Sequence, residues 1–233
     1  MKEFATLLTK NSCGAIINQN IYDGVFFMKH CYIFAAGDML CCPEIDGDSL
    51  IIAADAGFKH LEKACVNADI VMGDFDSLEN VPENCKILKY PPEKDFTDTE
   101  LAINTAIDMG CTSFTVIGAL GGERFEHTIA NLQLACGVAK KGFDITLTDG
   151  VTYIEALHCG EKSFDSTYSG FVSVFSFDGD AKGVTLKNLK YELDNVTLPC
   201  TGTLGVSNEF TGKDATVCVK DGTVMIIYRR KDN

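Results

Sequence analysis

The chain has 233 residues, 46% hydrophobic and 23% charged, with a formal net charge of −13 at pH 7. That length buries a sizeable core as one large domain or two small ones. The charge argues against nucleic acid or an anionic membrane as the main partner, because their phosphates demand clustered Lys and Arg.

An acidic protein still binds a phosphorylated small molecule when a divalent cation bridges the two. The eleven cysteines are scattered without a Cys-x-x-Cys pair, and only four histidines are available to help a zinc site. They read as reduced thiols filling space in a cytoplasmic protein. No apolar run reaches the ~18–20 residues that cross a bilayer, and the opening segment lacks the continuous apolar core of a signal peptide.

Residues 1–30 show neither strand nor helix periodicity, and Met28 offers a second plausible start, so this segment is expected to be a dispensable extension. From Cys31 the pattern sharpens. Short apolar runs at "CYIFAAGD" (31–38), "SLIIAADAG" (49–57), "ADIVMGD" (68–74), "CKILKYP" (85–91), "SFTVIGALGG" (113–122) and "DITLTDG" (144–150) predict strands. Helical spacing is read at "GFKHLEKACV" (57–66), "TELAINTAIDMG" (99–110) and "TIANLQLACGVAKKG" (128–142). Apolar strands alternating with helices predict an open, mostly parallel, Rossmann-like α/β sheet covered on both faces.

After about Gly150 the texture changes. Helical periodicity disappears, and "FVSVFSFDG", "GVTLKNLKYELDN", "ATVCVKDG" and "TVMIIYRR" are separated by Gly, Asp and Asn, which predicts a smaller all-β sandwich. The expected division is an extension at 1–30, an α/β domain at 31–152 and a β domain at 153–233.

Acidic and glycine-rich groups gather where strands end: Asp55-Ala56-Gly57, Gly73-Asp74-Phe75-Asp76-Ser77 and Gly118-Ala119-Leu120-Gly121-Gly122, with "KDFTDTE" (94–100) opening a helix. Each has a structural explanation. Asp and Gly form turns, and Thr97 with Glu100 has capping-box spacing, with Asp98 suited to the positive helix end. These explanations leave Asp95 without a role and do not say why so many acids share one sheet edge. Oxygen-only ligands suit Mg²⁺ with substrate phosphates, and "GGERFEH" adds Arg124, a planar cation matched to phosphate, and His127. No GxxxxGK[ST] or GxGxxG is present, which disfavours a P-loop kinase or a dinucleotide site. A haloacid-dehalogenase-type phosphatase also carries Asp-x-Asp at a strand end, but on the first strand, whereas Asp74 follows the third.

In order and spacing, "DAG" (55–57), "GDFDS" (73–77), "KDFTDTE" (94–100) and "GALGGERFEH" (118–127) resemble the motifs of the thiamine pyrophosphokinase family, and "GVTLKNLKYELDN" with "GTLGVSNEF" resembles its thiamine-binding β domain. The likeness spans about residues 31–230. This chain has Glu126 where the family usually has Asp, one extra residue near Glu123, and no Trp.

The resemblance implies a homodimer that transfers pyrophosphate from ATP to thiamine. In that reading Asp74, Asp76 and Asp98, with or without Asp95, hold Mg²⁺, and Arg124 steadies phosphate oxygens. Asp55, Gly57, Asp95, Thr97, Gly121, Arg124 and His127 contact ATP. Glu126 or His127 accepts the hydroxyl proton, or His127 orients ATP, and Ser207 and Asn208 bind thiamine across the dimer interface. Two alternatives stay open: a diphosphokinase or phosphohydrolase acting on another heterocyclic alcohol or phosphate, and a catalytically weak thiamine- or nucleotide-binding protein.

Overall fold

A computed structural model describes residues 6–10, 16–20, 29–73, 85–89 and 95–230, the first two stretches by backbone alone. The chain is a mixed α/β protein with a twelve-stranded sheet and few helices.

β1 (Thr6–Lys10) and β2 (Ile16–Asn20) form an antiparallel sheet of their own. Two strands thus form in a segment whose sequence shows no strand periodicity. "TLLTK" and "IINQN" mix apolar and polar residues without the alternation that one buried face imposes, so the pair leaves no period-two signal.

The parallel region contains β3 (Lys29–Phe34), β4 (Leu50–Ala54), β5 (Ile70–Gly73), β6 (Lys86–Lys89), β7 (Cys111–Ile117) and β8 (Asp144–Thr148), in the spatial order β8-β7-β3-β4-β5-β6. Helices α1 (Phe58–Ala64), α2 (Asp98–Asp108) and α3 (Phe125–Lys140) connect them.

Successive side chains of a strand point to opposite faces. Cys31, Ile33, Leu50, Ile52, Ile70, Met72, Phe114 and Val116 accordingly pack with α2 and α3 residues Leu101, Ile103, Ala135 and Val138. The alternate residues Phe34, Ala53, Val71 and Ile117 meet Leu61 of α1 on the other face. Burial on both faces is why these strands read as continuous apolar runs rather than alternating ones.

β9 (Thr152–Phe164) then pairs antiparallel with β8 through Thr146↔Glu155 to Thr148↔Tyr153, and along its length with β14 (Ala215–Arg229). The sheet thus runs unbroken through the expected boundary. The opposite edge of β14 is shared by β10 (Phe171–Ser176) and β11 (Ala181–Lys187), and β12 (Leu193–Leu198) pairs with β11. These strands and the short β13 (Asn208–Glu209) surround a second core of Phe164, Val172, Val184, Leu186, Val217, Ile226 and Tyr228.

Three local readings change. β9 was not anticipated. The stretch 183–195 is not one element but the end of β11, a turn and the start of β12. Helix α3 begins at Phe125, three residues before the expected 128, so "FEH" lies in its first turn and Arg124 is its N-cap residue. Among the described residues no helix is long and apolar enough to cross a membrane.

Candidate active site

β3 is the strand from which the chain order departs in both directions, to β4 on one side and β7 on the other. Ligands of open α/β sheets gather at the carboxyl ends of strands flanking such a reversal. The loops leaving β3 and β7 are laced together there: Ala35 N donates to Ile117 O, Gly37 N to Gly118 O and Asp38 N to Leu120 O, each at 2.8 Å.

The Asp38 carboxylate accepts from Gly122 N at 2.9 Å. Gly121 has φ +67, and a Cβ there would overlap Asp38 Oδ2 and sit 2.9 Å from Asp38 Cγ. Only glycine combines that backbone with that neighbour. From within, buried Asn131 of α3 donates Nδ2 to Ala119 O at 2.8 Å, and the Thr128 hydroxyl donates to Gly121 O at 3.4 Å. The glycine loop is therefore a backbone cradle held from both sides, leading straight into α3.

At the end of β4, Asp55–Gly57 forms a 3₁₀ turn. Asp55 takes φ +49, uncommon for a residue with a Cβ. Gly57 is buried, and a Cβ there would overlap the Phe34 carbonyl and lie 2.9 Å from Ala35 N. Its missing side chain seats the turn against β3. Gly73, closing β5, lies against the same turn, a Cβ there falling 3.2 Å from Asp55 Cα. His60 of α1 donates Nε2–H to Gly37 O at 2.7 Å, and its Nδ1 is buried without a hydrogen-bond partner among the described residues.

α2 starts as its spacing predicts. Thr97 is the N-cap, its hydroxyl oxygen accepting from Glu100 N at 3.2 Å, which satisfies one of the unpaired first-turn donors. Asp98 occupies the first helical position and Asp95 is exposed just before it.

At α3, Arg124 is the N-cap residue without a side-chain cap hydrogen bond, and Glu126 lies in the first turn. Arg124 Nε donates to Glu126 Oε1 at 2.9 Å, both side chains about 70% exposed (70% and 68%). Such a pair contributes little to stability and leaves the guanidinium able to exchange partners. The Arg124 hydrogen bond holds the Glu126 carboxyl below the usual carboxylate range. His127 is half-buried beside it.

Asp74 and Asp76 lie outside the described residues. Among the described residues no group of three or more His, Cys, Asp or Glu comes together as a metal cluster. Asp55, Asp95 and Asp98 supply hard oxygen donors suited to Mg²⁺ without completing a site by themselves.

In the β region Ser207 takes φ +59, with its N–H donated to Ser173 Oγ at 3.0 Å. Asn208 is 2% exposed. Its Oδ1 accepts from Tyr191 N and Glu209 N, each at 2.9 Å, and its Nδ2 donates to Tyr191 O at 2.7 Å. Asn208 thus clamps the Tyr191 turn, whose ring is exposed.

The family models described as "Thiamin pyrophosphokinase, catalytic domain" and "Thiamin pyrophosphokinase, vitamin B1 binding domain" match residues 43–147 and 161–224. Thiamine pyrophosphokinase of Bacillus subtilis is 30% identical over 217 residues, covering 88% of this chain and all of that one. This chain belongs to the thiamine pyrophosphokinase family. The crystal structure of the B. subtilis family member superposes with a TM-score of 0.78 at 27% identity, and that of the Enterococcus faecalis member with 0.73 at 28%. Both alignments cover 88% of this chain and all of the other.

Asp38, His60 and Asn131 are not among the residues that the sequence pointed to for this candidate site in a chain of the thiamine pyrophosphokinase family. Asp38 had a visible signal, since "AAGD" ends its strand in the same Gly-Asp as "MGD". His60 and Asn131 had none, because their partners are carbonyls remote in sequence.

Proposed function

We infer that this protein transfers the pyrophosphoryl group of ATP to the hydroxyl of thiamine, giving thiamine diphosphate and AMP. The observation that carries this is the family match, in one order, across both halves of the chain. Supporting it, the loops after β3, β4 and β7 and the first turns of α2 and α3 all open on one sheet edge.

The thiamine hydroxyl oxygen attacks the β-phosphorus, the bond from that phosphorus to the α–β bridging oxygen breaks, and AMP leaves. Phosphoryl-type transfer depends mainly on positioning and charge neutralisation. Gly121 and the backbone around it approach the phosphates closely, Arg124 exchanges Glu126 for phosphate oxygens, and Asp55, Gly57, Asp95 and Thr97 border the nucleotide. Asp74, Asp76 and Asp98, joined by Asp95, are the residues that would hold Mg²⁺. When bound, the cation neutralises charge on the transferring phosphates. An imidazole is intrinsically a stronger base than a carboxylate, so the hydroxyl proton is assigned to His127.

The finer architecture belongs to the same proposal: an open parallel α/β domain at 31–152 binds Mg-ATP, and a β sandwich at 153–233 binds thiamine. Ser207 lines the thiamine site and Asn208 shapes it, across the interface of a cytoplasmic homodimer.

The test is AMP release with Mg-ATP and a panel of alcohols. AMP formed only with thiamine supports the reading. AMP formed equally with a pterin alcohol, or thiamine bound without turnover, overturns it.

A further inference from the structure

β9 and β14 pair along their lengths except at one place. Between Val219↔Gly160 and Thr223↔His158, residues Lys220, Asp221 and Gly222 oppose Cys159 alone. This bulge pushes Cys159 outward with φ +45, and its thiol is free and exposed.

Cys159 Sγ lies 3.4 Å from His158 Nε2, against 3.9 Å from the Gly222 carbonyl oxygen. His158 Nδ1 is 3.0 Å from the Oγ1 of Thr223, its cross-strand partner, a side chain with no exposed surface. Thr223 Oγ1 is 3.4 Å from Asp178 Oδ2, and Asp178 is ion-paired with Lys140 of α3.

These contacts fix the direction of each proton. The Asp178 carboxylate only accepts, so the Thr223 hydroxyl donates to it. The hydroxyl oxygen then accepts His158 Nδ1–H, which leaves the Nε2 lone pair facing the Cys159 thiol. A nucleophile, a base aimed at it and groups that orient the base form the constellation that activates a thiol.

We propose that Cys159, with His158 as its base, is a site of thiol–disulfide exchange with small organic disulfides. His158 Nε2 takes the Cys159 proton, and the thiolate attacks one sulfur of the disulfide. The S–S bond breaks as the mixed disulfide at Cys159 forms, and the departing thiolate takes the proton back from His158. The neighbouring thiol of Cys136 on α3 is the contrast: burial pushes it up to about 11, and it stays inert.

This site is separate from the candidate active site. β9 runs antiparallel to β8 from Tyr153↔Thr148 to Glu155↔Thr146, so it is already heading away from the carboxyl ends of the parallel strands. His158 and Cys159 follow in that direction, toward the opposite edge.

The test treats the full-length protein with a small aromatic disulfide at about pH 7 and follows each cysteine by peptide mass spectrometry. Cys65 and Cys200, exposed in the same chain, are internal references. Cys159 is expected to react roughly tenfold faster than either. His158→Gln should bring it down to their rate, Thr223→Ser should keep the advantage and Thr223→Val should lose it. Reaction of Cys159 no faster than Cys65 and Cys200, or an unchanged rate in His158→Gln, overturns the proposal. Labelling of buried Cys31 and Cys111 reports unfolding of a variant, in which case the wild-type ranking of Cys159 against Cys65 and Cys200 decides.

Discussion

Replacing Gly57 by Ala separates two roles for the "DAG" motif. Gly57 has φ −58 and ψ −20, which any residue adopts, so the substitution carries no backbone-dihedral penalty and its whole effect is steric. The new Cβ would overlap the Phe34 carbonyl and lie 2.9 Å from Ala35 N, the peptide unit that closes central strand β3. Neither moves without β3 moving. The turn would have to lift away from the cluster of Phe34, Ala53, Leu61, Val71 and Ile117. Overpacking costs about 1–3 kcal/mol, and a clash with backbone belongs at the upper end, about 3 kcal/mol. For a chain of this size that lowers Tm by roughly 6–12 °C. Gly137→Ala, in α3 with nothing within 4 Å of the new Cβ, is the control and should gain about 0.5–1 kcal/mol. Thermal denaturation and KM for ATP are measured on both variants. A Gly57→Ala protein that melts normally but shows a raised KM for ATP would refute the packing account and leave the glycine to the nucleotide.

Asp74→Asn and Asp76→Asn should each lower AMP release roughly a hundredfold or more without changing Tm; near-normal turnover in both would return the pair to turn formation. Ser207→Ala should raise KM for thiamine about tenfold, the scale of one hydrogen bond, at constant Tm. Asn208→Ala should instead cost about 3 kcal/mol, since it strips partners from Tyr191 N, Tyr191 O and Glu209 N in a buried setting. Glu126, held low by Arg124, keeps its charge as pH falls from about 8 to 6. Glu126→Gln should therefore leave the shape of the kcat profile unchanged in that window, whereas His127→Asn should lower kcat at constant Tm. A chain beginning at Met28 should keep Tm and activity, because among the described residues β1 and β2 pair with no strand of the main sheet; a loss above about 2 kcal/mol, one large buried side chain, would place the segment in the core.

The parallel sheet was legible in the sequence because burial on both faces leaves little room for polar residues, and "YIFAA", "LIIAA" and "DIVMG" carry that constraint locally. The start of α2 was legible for a similar reason, since Thr97 and Glu100 meet within one helical turn. Tertiary structure decided what depends on residues distant along the chain. β9, in "TYIEALHCGEKSF", is a strand because β8 and β14 flank it, not because its own pattern demands it. Gly57 was legible as part of the "DAG" motif, but its close approach to the end of β3 emerged only in the fold. Asp38 became part of the cradle only when the β7 loop, more than eighty residues later (|i−j| = 84 to Gly122), brought an amide to its carboxylate. Asn208, legible as half of a Ser-Asn motif, proved to spend its amide on the Tyr191 turn. Local sequence specifies which backbone conformations and burial patterns are permitted; which donors meet which acceptors across the sheet is set by strand order and register, and these emerge only when the whole chain packs.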